Sequence, residues 1–156
     1  MVRKLPNVVF WCQSANIPTM AVPNTGHPNP FTFIPYSGEH IDYGTLQIGF
    51  KVDENLTNYV ELVNWMRGLA FPEDTSEHRA LVDAGHGQVG QGIFSDVSLF
   101  ILTNLKNPNV EVTFRDAFPI SIGELQFKTT DDDVINMNCT AEFRYTLFDV
   151  ATIPKG

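Results

Sequence analysis

Cysteine is scarce in this chain, at two residues in 156. Cys12 and Cys139 each sit in an alternating apolar pattern, which favours two reduced core thiols in a reducing compartment over a disulfide. Positive charge is also scarce: 10 Lys and Arg stand against 18 Asp and Glu, a net charge of −8 with a pI near 4.8. Such a surface does not grip nucleic-acid phosphates directly. Long hydrophobic runs are missing, since the longest, around Val97 to Leu102, is far short of the roughly 20 residues of a membrane span. The N-terminal MVRKLPNVVFWCQS has neither a signal-peptide core nor a small-residue cleavage site, so the expectation is cytoplasmic synthesis without a membrane step.

Catalytic constellations are missing as well. Ser14, Ser37, Ser76, Ser95, Ser98 and Ser121 have no nucleophile-elbow context, and no paired carboxylates share an apolar strand face. Gly85, Gly87 and Gly90 match G-x-G-x-x-G, but β and turn residues follow where a dinucleotide fingerprint needs a helix. His78 and His86 have no Cys or acidic residue at a metal-ligand spacing. Asp131, Asp132 and Asp133 lack further ligands at alternate positions and read as a solvated hairpin tip rather than a calcium loop. No catalytic residue, cofactor or metal is therefore assigned.

What the chain does have is alternation. From Val134 to Phe148, Ile135, Met137, Cys139, Ala141, Phe143, Tyr145 and Leu147 share one side, with Asn136, Asn138, Thr140, Glu142, Arg144 and Thr146 on the other. At about 3.3 Å per residue this strand would run roughly 50 Å. A strand so long must curl within a barrel or reach past its own domain. Asn7 to Ser14 reads as a first strand, and Glu39 to Val52 as a second in which Leu46, Ile48, Phe50 and Val52 alternate with polar or small residues. Behind it, Asn55 to Arg67 is the one amphipathic helix: Leu56, Tyr59, Val60, Val63 and Met66 fall at helical spacing, Asp53 and Glu54 lie at the start and Gly68 supplies the stop. A meander follows: Val97 to Thr103, a turn at Asn104 to Asn109, Val110 to Phe118, a break at Pro119, and Gly123 to Thr129.

Two stretches fit neither pattern. Ile17 to Tyr36 holds prolines at 18, 23, 28, 30 and 35, which excludes helix and central strand and predicts an extended arm over residues 18–36. Phe31, Phe33, Ile34 and Tyr36 need a surface to bury on, either the arm's own domain or a neighbouring subunit. Pro72 to Asp96 is polar and glycine-rich and reads as a long surface loop. With 43% hydrophobic residues, residues 1–156 form one domain. The predicted fold is mainly β, a small barrel or sandwich with one flanking helix and long extended loops.

The order of parts resembles the tail tube proteins of contractile-tailed bacteriophages. The resemblance is carried by CQSANIP (Cys12 to Pro18), DENLTNYVELVNWM (Asp53 to Met66), FPISIGELQF (Phe118 to Phe127) and FRYTLF (Phe143 to Phe148). It implies a small β-barrel with a flanking helix, assembled as homo-hexameric rings stacked into a hollow tube. DNA would pass through it without tight binding, and the sheath and baseplate proteins would be partners. It places the chain in the virion tail, assembled in the host cytoplasm. A tail-end ring or baseplate component is the alternative within the resemblance, and a monomeric barrel binding a small apolar ligand is the alternative outside it. Phe31, Phe33 and Tyr36 on the arm, with Asp131, Asp132 and Asp133 at the hairpin tip, are the candidate subunit-interface residues.

Overall fold

The computed structural model describes residues 5–70, 75–84, 93–127 and 137–153. It contains α1 (Pro6–Phe10), β1 (Cys12–Ala15), β2 (Met20–Ala21), β3 (Asn24–Pro28), β4 (Phe33–Ser37), β5 (Asp42–Tyr43), β6 (Leu46–Lys51), α2 (Thr57–Ala70), α3 (Thr75–Ala84), β7 (Ser95–Leu102), β8 (Pro108–Ile122), β9 (Asn138–Arg144) and β10 (Leu147–Thr152). The fold is mainly β, a curled half-barrel sheet with one main helix. The main sheet is six-stranded and antiparallel in order β1-β6-β9-β8-β10, with β7 also on β8.

β8 is the spine. Its first half pairs with β7 on one side and β10 on the other, and its last residues pair with β9. Phe118 faces Arg144 and Arg115 faces Leu147, with no residue gained or lost between them. β9 and β10 are therefore two halves of one long strand, bent at Tyr145 and Thr146. The bend matches one in β8, where Asp116 takes a left-handed φ of 55°. Thr146 N–H donates to the Arg115 carbonyl (3.0 Å) and the Asp116 N–H to Asp96 Oδ1 (3.1 Å), so backbone groups freed by the bend are satisfied. These paired bends curl the sheet around Phe50, Phe114, Phe143, Leu46 and Val112, all buried.

The long terminal strand was expected as one unbroken alternation. Cys139, Ala141, Phe143 and Tyr145 are buried as that pattern requires, while residues 134–136 lie outside the described part. Past the bend the phase slips: Phe148, not Leu147, packs on Tyr43, Phe114 and Tyr145. Pro119 does not break the chain. It is buried inside β8 opposite Phe143, next to a bulge, where a strand tolerates a missing amide donor. Residues 123–127 carry no strand, contrary to the expectation of one from Gly123, and 128 and 129 lie outside the described residues.

The predicted first strand is half helix. Pro6 opens α1 at a position where its missing amide costs nothing, and β1 begins only at Cys12. Asn7 Nδ2 donates to Glu61 Oε1 at 2.5 Å, which ties α1 to α2, and Leu5 and Val8 are fully buried. Tertiary packing thus overrides the β propensity of Val8, Val9 and Phe10.

α2 starts two residues later than expected and runs through Gly68 to Ala70. Its buried stripe is Asn58, Leu62, Trp65 and Gly68, with Tyr59 and Leu69 alongside, whereas Val60 is 47% exposed. Asn58 belongs in the stripe because its side chain bonds backbone: Nδ2 to the Lys51 carbonyl at 2.6 Å, and Oδ1 accepting from Tyr59 N–H at 2.9 Å. Leu56 lies before the helix in left-handed geometry, φ 56°. Trp65 packs on Phe143 and donates Nε1–H to the Ile93 carbonyl at 2.9 Å. The stretch read as a loop over 72–96 holds a third helix, α3, packed on α2, and the start of β7. The glycine-rich motif and His86 lie outside the described residues.

Candidate functional site

The prolines of the arm do not leave it as a single extended segment. Thr19 and Gly44 are joined at the base (Gly44 N–H to the Thr19 carbonyl, 2.8 Å), β2 pairs with β5, and β3 pairs with β4 from Asn24↔Ser37 to Pro28↔Phe33. Asn29 N–H donates to the Thr32 carbonyl at 3.2 Å and closes the tip. The arm is thus a two-stranded ribbon. A ribbon has only edges, which is where strand prolines are tolerated.

Its side chains face outward. Phe31 at the tip is 96% exposed, Phe33 67% and Tyr36 58%. Phe33 lies across Gly26 so closely that a methyl group there would collide with the ring. Glycine at this position is what lets an aromatic lie flat over the ribbon. Tyr36 makes an edge contact with His27. The ribbon therefore brings Phe31, Phe33 and Tyr36 onto one projecting element, while Asp131, Asp132 and Asp133 lie outside the described residues.

A second feature escaped the sequence reading. Among the described residues, β1 and β7 do not pair with each other, so the half-barrel stays open along a seam between them. The seam holds an apolar cavity of about 280 Å³ lined by Val8, Ala15, Leu46, Ile48, Val97 and Phe100, among others. Cys12, expected in the core, is exposed but lines this cavity, and partial burial pushes its thiol pKa up against a contact to the Ser14 carbonyl. Cys139 is buried as expected; desolvation raises its thiol against opposing contacts to the Gly123 and Thr140 carbonyls. A seam depends on which edges meet in space, and no local periodicity records that.

Among the described residues, no group of three or more His, Cys, Asp or Glu is placed to hold a metal, and no helix is long and apolar enough to cross a membrane. What the geometry offers is docking surface: open strand edges, an apolar seam and a projecting aromatic ribbon.

A family model described as phage tail tube protein matches residues 3–151. The chain belongs to that family. It is 28% identical over 142 residues to the tail tube terminator protein of Enterobacteria phage T4, covering 88% of this chain and 75% of that one. Its fold is similar to a chain in the anti-feeding prophage baseplate (TM-score 0.62, 13% identity, 90% of this chain and 80% of that one). A chain of the anti-feeding prophage tube-terminating cap is as close (TM-score 0.61, 12% identity, 91% and 80%). At such identities the likeness concerns the fold. This tail tube family member keeps the barrel-and-helix frame that the resemblance implied.

Proposed function

We propose that this chain is a structural subunit of a homo-hexameric ring in the tube of a contractile phage tail, with DNA passing through the ring. The observation that carries the reading is the half-barrel with unpaired edges at β1, β7 and β10 among the described residues. Exposed edges are an aggregation hazard in a monomer, and a closed ring of identical subunits turns each into an interface. Copies of itself are the first partners, and the sheath and baseplate proteins the next. The chain then resides in the virion tail after assembly in the host cytoplasm.

Membership of the tail tube family supports a place along the tube. The coverage of the T4 terminator relative supports a place at its end, as does the likeness to a tube-terminating cap. Native mass spectrometry with negative-stain microscopy of the purified protein tests the ring, and six-subunit particles with a central hole are expected. A protein that stays monomeric at every concentration refutes it. Gold labelling of intact tails then separates the positions: label along the whole tube marks a tube subunit, and label at one end marks a terminal ring.

A further inference from the structure

We propose that the seam between β1 and β7 receives the tip of the β3–β4 ribbon of a second copy of this chain, so that each subunit offers one plug and one socket. This rests on the ring reading and names its contact.

The socket has the size of a side chain. Its cavity of about 280 Å³ falls just below the roughly 300–1,000 Å³ of small-molecule sites, and its lining is mainly apolar, with Val8, Leu46, Ile48, Val97 and Phe114 as walls and Asp96 and Ser98 as its polar members. On either side run the edges of β1 and β7, whose outer backbone groups pair with no further strand among the described residues. Such a slot fits an extended segment that adds backbone hydrogen bonds at an edge and drops alternate side chains into a pocket.

The plug matches in shape and charge. Phe31 projects from the tip of a ribbon whose ladder is made with itself, Phe33 lies exposed along its face, and none of its residues lines the seam of its own copy. Residues 5–38 contain no Lys, Arg, Asp or Glu, although the whole chain is 18% charged with a net −8. That uncharged stretch includes both the ribbon and one wall of the seam (Val8, Val9, Cys12, Ala15). The one carboxylate at the socket, Asp96 on the β7 wall, already accepts a hydrogen bond from the Asp116 N–H (3.1 Å), and an uncharged ribbon brings no second carboxylate to it when two acidic copies meet. A plug and a socket on different faces make a head-to-tail contact, which closes into a ring when the rotation permits.

The native Cys12 thiol in the seam provides the test, because Cys139 is 3% exposed and does not compete. Thr32→Cys puts a second thiol at the ribbon tip and keeps both phenylalanines. A short bis-maleimide added to assembled protein is expected to give a ladder of cross-linked oligomers, abolished when Cys12→Ser is added. Phe31→Ser with Phe33→Ser, and separately Ala15→Trp, which fills the seam from an exposed position, are each expected to weaken self-association at least tenfold with unchanged far-UV circular dichroism. A link within one chain, identified by mass spectrometry, overturns the proposal in favour of a self-packing ribbon. Rings that form without any link to Cys12 and tolerate Ala15→Trp overturn it while leaving the ring reading intact. A wild-type protein that never self-associates overturns both.

Discussion

Tyr145 stands where the long strand bends, and its hydroxyl is buried with no hydrogen-bond partner among the described residues. The ring is well placed, stacked edge-on against Phe114 at 5.0 Å and near Tyr43 and Phe148. The ring thus favours the fold while the hydroxyl opposes it, and an unpaired buried donor costs about 1–3 kcal/mol. Tyr145→Phe keeps the ring and removes the liability, so chemical denaturation should show the variant as stable as the wild type or more stable by about 1–2 kcal/mol. Phe143→Ala, in the fully buried centre, should lose about 3–5 kcal/mol. The pH dependence follows from the same burial. Desolvation raises the Tyr145 phenol, with further effects from Tyr43 and Arg144, and it raises the Cys139 thiol. Groups whose folded pKa is raised contribute stability below their unfolded pKa and lose it as pH rises through the folded value. Melting temperature should therefore fall on the alkaline side, from about pH 9 upward, with a smaller fall in Tyr145→Phe. At this scale the sequence showed inward Cys139, Ala141, Phe143 and Tyr145. It hid Asn58, whose burial depends on backbone acceptors that no hydropathy pattern displays.

At the scale of elements, alternation located β6 and β9, each with one wet face and one core face, although β6 begins at Leu46 and the expected start at Glu39 leads instead into the short β5. It failed where tertiary contacts decide. α1 forms because Val8 and Asn7 meet α2 and its neighbours, α3 because it lies on α2, and β8 continues through Pro119 because a bulge absorbs the missing donor. The bend depends on Asp116, since a left-handed φ of 55° is easy for glycine, tolerable for aspartate and poor for a β-branched residue. Asp116→Gly should keep wild-type stability, and Asp116→Val should lose roughly 1–3 kcal/mol in denaturant titration. The ribbon gives the opposite case. Its ladder is internal, so deletion of Asn24 to Phe33 should leave circular dichroism and melting temperature almost unchanged while abolishing rings under the microscope. A deletion variant that assembles normally would show that the ribbon serves only its own chain.

At the scale of the whole molecule the question is how the proposed ring, acidic in every subunit, would treat DNA. A duplex carries one negative charge per roughly 1.7 Å, and a subunit charge of −8 repeated around a ring repels it at long range. Among the described residues, part of the excess lies off the sheet, at Asp53, Glu54, Glu77 and Asp83. On the polar strand faces two arginines are already engaged. Arg115 pairs with Asp149 at 2.6 Å and Arg144 Nη1 donates to the Tyr43 carbonyl at 3.1 Å, while Glu142 accepts from Gln47 Nε2 at 2.9 Å. The exposed Arg115–Asp149 pair contributes at most about 1 kcal/mol, but it keeps a guanidinium turned toward a carboxylate. A lumen lined by such faces would be near neutral and hydrophilic, with Arg115 held to a carboxylate rather than turned to successive phosphates. Binding should accordingly be weak and independent of sequence. A filter-binding assay on assembled rings at about 0.15 M salt should show no retention below micromolar protein, and little change as salt is varied. Sub-micromolar retention that falls steeply with added salt would reveal a phosphate-binding surface and overturn the conduit reading.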